Sequence, residues 1–497
     1  MSGRGLLITL LGTLSMVYGQ FQLNSLMSYQ LGNLPYAEPR DYQTLYQQVD
    51  MAYRYSNFRA STKIEYFLTP ESSRQYANFS QYRIEYTGRK FYAKAGHFYD
   101  IFGRGLLLRA WDLSQNIFED QGQRVRQGFY KDIFGGVAGY KSQSFNIKFL
   151  KGQPLINQFS ATKGDDVRRL DDLSAVETNV SFSGYKIGAG FVHNDGKSKK
   201  ENILSTMIGG QLSNYFDIYL EYAHSLDEGN EYFSLASDNR FGLYGNLNYY
   251  TGDLGVTLEY KYYNLFLLGS GYNDPPSLIR ENPYPVINRS VHVTQLQNEQ
   301  GLQIEALYNL SADNILTINL SHARNEFDKS YQYSSIFMEW EKYIADNNRL
   351  ILFAEISGDE FQNEINRYAG GAVYESDIWE NWRIKLDLEG QRFDRPNIQD
   401  DIYNGYFSVT LGPSSNFNGS VIAEISNDHF LTDNPNTIDV EMGIRTWFGL
   451  ALVYQPTYEN RFELFAGQRR GGPSCTSGIC YEVLDFEGVE LNWKFKI

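Results

Sequence analysis

FEGVELNWKFKI, residues 486–497, is the stretch that decides the fold. Val489, Leu491, Trp493, Phe495 and Ile497 alternate with Glu490, Asn492, Lys494 and Lys496. Successive side chains of a strand point to opposite faces, so this period of two makes one face apolar and aromatic and the other charged. Two architectures use such a strand. One is the sheet of a secreted sandwich or propeller. The other is an outer-membrane barrel, whose last strand faces lipid on one side and the lumen on the other, and pairs with the first strand.

The upstream chain chooses between them. Alternating runs recur along its whole length, among them Tyr82, Ile84 and Tyr86 around Arg83 and Glu85, and Trp382, Ile384, Leu386 and Leu388 around Arg383, Lys385, Asp387 and Glu389. Residues 91–109 read as one long strand broken by a Gly-rich bend, and residues 438–454 keep a single parity and read as one strand. The runs add up to about 24 strands, within an expected span of roughly 20–26. Their connections alternate short and long. The short ones carry turn residues such as Ser183-Gly184 and Thr251-Gly252-Asp253, which suit tight reversals. The long ones fall at 35–48, 70–78, 110–132, 152–174, 194–202, 226–239, 267–300, 325–330, 358–366, 394–402, 427–437 and 469–485. Single-chain barrels have short periplasmic turns and longer extracellular loops, whereas a propeller or sandwich has no reason to keep this parity. The strand charges share the polar parity, as they must if the other face meets lipid, where Arg or Lys costs about 2–4 kcal/mol at the midplane.

Composition agrees. Aromatics make up 15% of the 497 residues and Tyr, at 39, leads them; its apolar ring and polar tip suit a membrane–water boundary. A mean hydropathy of −0.44 does not oppose a barrel, because half of each strand faces water. The net charge of −15 is spread along the chain with no basic cluster, which excludes nucleic acid as a partner. Arg4, the apolar residues 6–17 and Val17-Tyr18-Gly19 predict a signal peptide over residues 1–19, cleaved after Gly19. Residues 20–497 are then a single outer-membrane barrel domain with both termini periplasmic and the long loops extracellular. No run supplies the ~20 apolar residues of a spanning helix.

Candidate sites are few. Cys475 and Cys480, the only cysteines, sit in GGPSCTSGIC; in an exported chain they read as a disulfide, and no further Cys or His nearby favours a metal. Arg104 and Arg109, in a Gly-rich aromatic stretch, are candidates for contact with an anionic ligand or with the lumen. The competing reading makes those glycines a bulge that lets a long strand curve. Residues 267–300, rich in Pro, either fold in to constrict the pore or form a surface receptor. No G-x-S-x-G, H-E-x-x-H or P-loop is present, so no catalytic, cofactor or metal residues are assigned and no enzyme is expected.

GHFYDIFGRGLLLRAW (96–111), YNDPPSLIRE (272–281) with INRSVHVT (287–294), and RRGGPSCTSGICYEVLDFEGVEL (469–491) resemble a family of large Gram-negative outer-membrane barrels known only as a domain of unknown function. The resemblance spans most of residues 20–497 and implies an exported barrel; it implies no substrate, catalytic residue or partner. The expectation is a transmembrane antiparallel up-and-down β-barrel. It acts as a porin-like channel or transporter for small polar solutes, or alternatively as a non-conducting scaffold or partner subunit of a cell-surface assembly. Its partners are outer-membrane lipid and surface or periplasmic proteins.

Overall fold

A computed structural model of the chain describes residues 19–497 except 228, 327, 346, 414–415, 434–442 and 477. The expected signal peptide, apart from Gly19, and residues 438–442 of the expected long strand lie outside the described residues; that strand is described over Arg445–Tyr454.

The wall is one antiparallel sheet of 24 strands. Each strand pairs with the next in sequence along the wall. The first, Gln20–Asn33, pairs with the last, Phe486–Lys496, from Asn24↔Lys496 to Asn33↔Glu487, and so closes the cylinder. Closure leaves the wall without an open sheet edge, the condition for spanning hydrocarbon with strands.

The two faces invert the usual order of a folded protein. Leu388 is 61% exposed on the outside, whereas its neighbours Asp387 and Glu389 are 5% and 4% exposed inside. The same reversal separates Ile356, at 57%, from Glu355, at 5%. Lys63, Glu65 and Lys261 are also buried inside. A soluble sheet would gain by burying the leucines and wetting the carboxylates; only an apolar surround favours the opposite arrangement. Exposed and half-buried rings crowd the short-turn end of the wall, including Phe58 with Tyr86, Phe91 with Tyr140, and Trp379 with Trp382, whose centroids lie 5.1, 5.0 and 6.4 Å apart. Such a girdle suits a headgroup boundary.

Two sequence expectations need correction. Several long connections shrink because the strands run on: Asn348–Asp359 and Glu364–Trp379 leave only 360–363 between them, and Trp382–Arg395 and Gln399–Pro413 leave 396–398. The length sits instead in a few segments, chiefly 99–132, 155–172, 265–298 and 470–485. The second concerns residues 91–109. The wall strand ends at Phe98, and the chain then turns inward as a small hairpin, Ile101–Phe102 with Leu108–Arg109. Leu106, Leu107 and Leu108 are completely buried. Three consecutive apolar side chains cannot be divided between lipid and a wet lumen, but a segment packed on both sides buries them all. They pack within the barrel against Ile133, Val192, Ile203 and Ala223 of the wall and Leu268, Tyr272 and Leu278 of the Pro-rich segment.

Candidate functional site

The long segments meet inside the barrel, and the wall carboxylates hold them there. The Gly103 and Arg104 amides donate to Glu177 and Glu221 at 2.7 and 2.8 Å. Gly103 has φ +62° and its α-carbon faces the Glu221 carboxylate, so a β-carbon there would be strained and would collide with it. A second hairpin, Trp111–Glu119 with Arg126–Lys131, leans on Glu65, which accepts from the Gly128 amide at 2.5 Å and the Tyr130 hydroxyl at 2.7 Å.

The Pro-rich segment crosses the whole lumen. On one side the Gly269 amide and Tyr272 hydroxyl donate to Glu201 at 2.6 and 2.9 Å. Far round the wall, the short helix Pro285–Asn288 presents the Val286 amide to Glu389 at 2.9 Å. Arg289 forks onto Glu424, with Nη2 donating to Oε1 at 2.9 Å. Between these ends the Tyr284 hydroxyl donates to Glu339 at 2.5 Å and its ring stacks on Phe353. His292 Nδ1 lies 2.7 Å from Asp359. Of the two sequence readings of residues 267–300, folding in is the observed one. A carboxylate pulled out of water is costly unless its oxygens find donors. The inward charges that the alternation places on the wall are therefore also the anchors of a plug.

Arg104 and Arg109 both lie inside. The Arg104 guanidinium sits 4.8 Å from the Tyr219 ring centroid. Arg109 Nη1 donates to Asp274 at 3.1 Å, and the Asp274 amide donates to Gly105 at 3.0 Å, so the hairpin and the Pro-rich segment are stitched together. The two arginines line a cavity of about 350 Å³ with Tyr244, Glu259 and Gln303.

A larger cavity, of about 930 Å³, lies at the long-loop end where four segments converge. Trp111, Phe118 and Phe129 come from the second hairpin, Phe159 and Lys163 from 155–172, Tyr272 and Asp274 from the Pro-rich segment, and Tyr481 from the hairpin Gly472–Thr476 with Ile479–Val483. Trp111 and Tyr481 meet Phe129 edge-on, with centroids 5.0 and 4.7 Å away, and Phe118 stacks on it at 5.3 Å. Lys131 donates to the Gly271 carbonyl. Burial pushes its ammonium down to about 8, against the opposing pull of Asp274. Burial likewise raises the Asp274 carboxyl, while Arg109 and Lys131 oppose the shift. Sequence reasoning missed this aromatic corner. The available signal was Trp and Phe standing in connections, where a barrel has no lipid face for them to cover.

Cys475 and Cys480 face each other across the terminal hairpin and are joined as a disulfide. The loop they close is short, so the double change Cys475→Ser and Cys480→Ser should lower unfolding stability by no more than about 2 kcal/mol. A urea titration of both forms in lipid will measure this. Among the described residues no group of His, Cys, Asp or Glu could hold a metal ion.

The profile of a family of unknown function, DUF6029, matches residues 12–357. No curated protein sequence matches the chain. Among solved structures, the translocation pore of the P pilus usher PapC aligns over 96% of this chain and 99% of its own at 9% identity, with a TM-score of 0.44. OccK10 (OpdN) of Pseudomonas aeruginosa aligns over 69% and 94% at 11% identity, with a TM-score of 0.40. The copper transporter OprC aligns over 97% and 80% at 9% identity, with a TM-score of 0.42. Likenesses this distant assign neither an activity nor a solute.

Proposed function

Because the chain belongs to DUF6029, a family of unknown function that lends it no activity, we propose from its own geometry that it is a plugged, porin-like outer-membrane barrel admitting small polar solutes. The observation that carries this is the 930 Å³ cavity at the long-loop end, framed by plug segments and not by the wall alone. Ligand pockets span about 300–1,000 Å³ and combine an apolar lining with a few placed polar groups. Wide barrels that do not conduct freely hold a plug in the lumen. In this reading residues 1–19 are removed on export, residues 20–497 form one barrel domain, and the long loops face the outside. A solute enters the aromatic cavity first, and the neighbouring cavity of Arg104 and Arg109 is the next station inward.

In planar bilayers the purified protein should show brief, low-conductance openings that small polar solutes modulate. A barrel that stays silent both intact and with its Pro-rich segment removed would be no channel. The scaffold reading, a partner subunit of a cell-surface assembly, would then replace this one.

A further inference from the structure

We propose that the larger cavity binds a short, uncharged oligosaccharide, which gives the solute of the reading above its chemical class and rests on that reading for the route inward. Charge is the first argument. The ionic groups lining the cavity are largely spent on protein partners. Asp120 accepts the Gln123 and Val125 amides at 2.7 and 3.0 Å. Asp274 holds Arg109, and Lys131 holds the Gly271 carbonyl. Lys163 and Glu482, both exposed, remain and are of opposite sign. An ionic ligand therefore meets no surplus of opposite charge, and its desolvation would go uncompensated.

Shape and hydrogen bonding are the second argument. The rings of Trp111, Phe118, Phe129 and Tyr481 pack together at one corner, and the rest of the lining mixes apolar side chains such as Ile156, Phe159 and Val293 with polar ones such as Gln121, Asn157 and Gln158. A lipid chain would call for an apolar tube on all sides. Trp111 and Tyr481 also keep their polar handles: neither the indole N–H nor the phenol hydroxyl has a hydrogen-bond partner among the described residues. The same is true of the exposed Gln121 and Gln158 amides, which also line the cavity. A cavity with ring faces at one corner and unspent neutral donors and acceptors around it suits a ligand with both features. Pyranoses have them: C–H faces that lie on aromatic rings, and equatorial hydroxyls that both donate and accept.

Isothermal titration of the full-length protein in detergent, with maltotriose, cellotriose and triacetylchitotriose as neutral probes and trigalacturonate as a charged one, tests the proposal. Saturable binding of at least one neutral sugar, stronger than that of the anion, is expected. Trp111→Ala and Tyr481→Phe should each weaken it, the former roughly tenfold, as loss of an aromatic contact does. Gln158→Ala, at an exposed side chain that leaves the packing intact, should weaken it less. All three variants should keep the heat-modifiable gel mobility of a folded barrel. If no neutral sugar binds, or trigalacturonate binds best, or the three variants bind as the parent does, the proposal is overturned. Channel activity without sugar binding would overturn this ligand class alone. Sugar binding by a protein that passes no solute would uphold the site and overturn the transport reading.

Discussion

Leu388→Arg is expected to destabilise the folded protein by about 2–4 kcal/mol, the cost of an Arg side chain at the bilayer midplane on the lipid face of a barrel. Leu388 sits mid-strand in Trp382–Arg395 and is 61% exposed. In a water-soluble sheet a residue so exposed tolerates almost any replacement, with effects within roughly ±0.5 kcal/mol. The two environments thus predict different outcomes for one substitution. Leu388→Met, which keeps volume and apolar character, should cost less than about 1.5 kcal/mol. Folding titrations in urea against phosphatidylcholine vesicles will rank the three forms.

The second large effect concerns the plug. Replacing residues 268–296 by a short Gly/Ser linker should raise single-channel conductance several-fold and hold the channel open. The deletion removes the span between Glu201 and Glu424, together with the Tyr284 stack and the Val286 cap on Glu389. The wall itself closes without any residue of this segment, so the barrel should still fold. The freed carboxylates Glu201, Glu339, Glu389 and Glu424 would then face water in the lumen. A chain of net charge −15 with these groups uncovered should favour cations, seen as a reversal potential shifted toward that of potassium in a chloride gradient. Openings of the same size and duration as those of the intact protein would contradict the assignment of this segment as the plug.

Much of the wall could be read from the chain, because hydrocarbon enforces its alternation residue by residue. Wherever a strand crosses lipid, as in Trp382–Arg395 or Phe486–Lys496, one parity must be apolar. Beyond the lipid neither face is constrained, so the pattern fades. That is why Asp359, Glu364, Asp394 and Gln399 read as loop although they belong to strands. The plug was less legible for another reason: its direction is decided by partners distant in sequence. Arg289 meets Glu424, and Gly103 meets Glu177, through contacts that no local period encodes. One signal did exist in GRGLLLR, where three successive leucines contradict a half-wet strand. The aromatic cavity needs four segments to converge, and nothing in any one of them announces the other three.

Spin-label accessibility along one strand tests the central claim most directly. Single cysteines introduced at 384 through 389 would be labelled in protein reconstituted into bilayers and probed with oxygen, which concentrates in hydrocarbon, and with a water-soluble nickel chelate. The expected result is a period of two, with oxygen reaching 384, 386 and 388 and not 385, 387 and 389. The 388 position should be the most sheltered from nickel among the outward sites. If instead the nickel chelate reached 384, 386 and 388 freely, the apolar face of the barrel would not lie in lipid, and the account would be wrong.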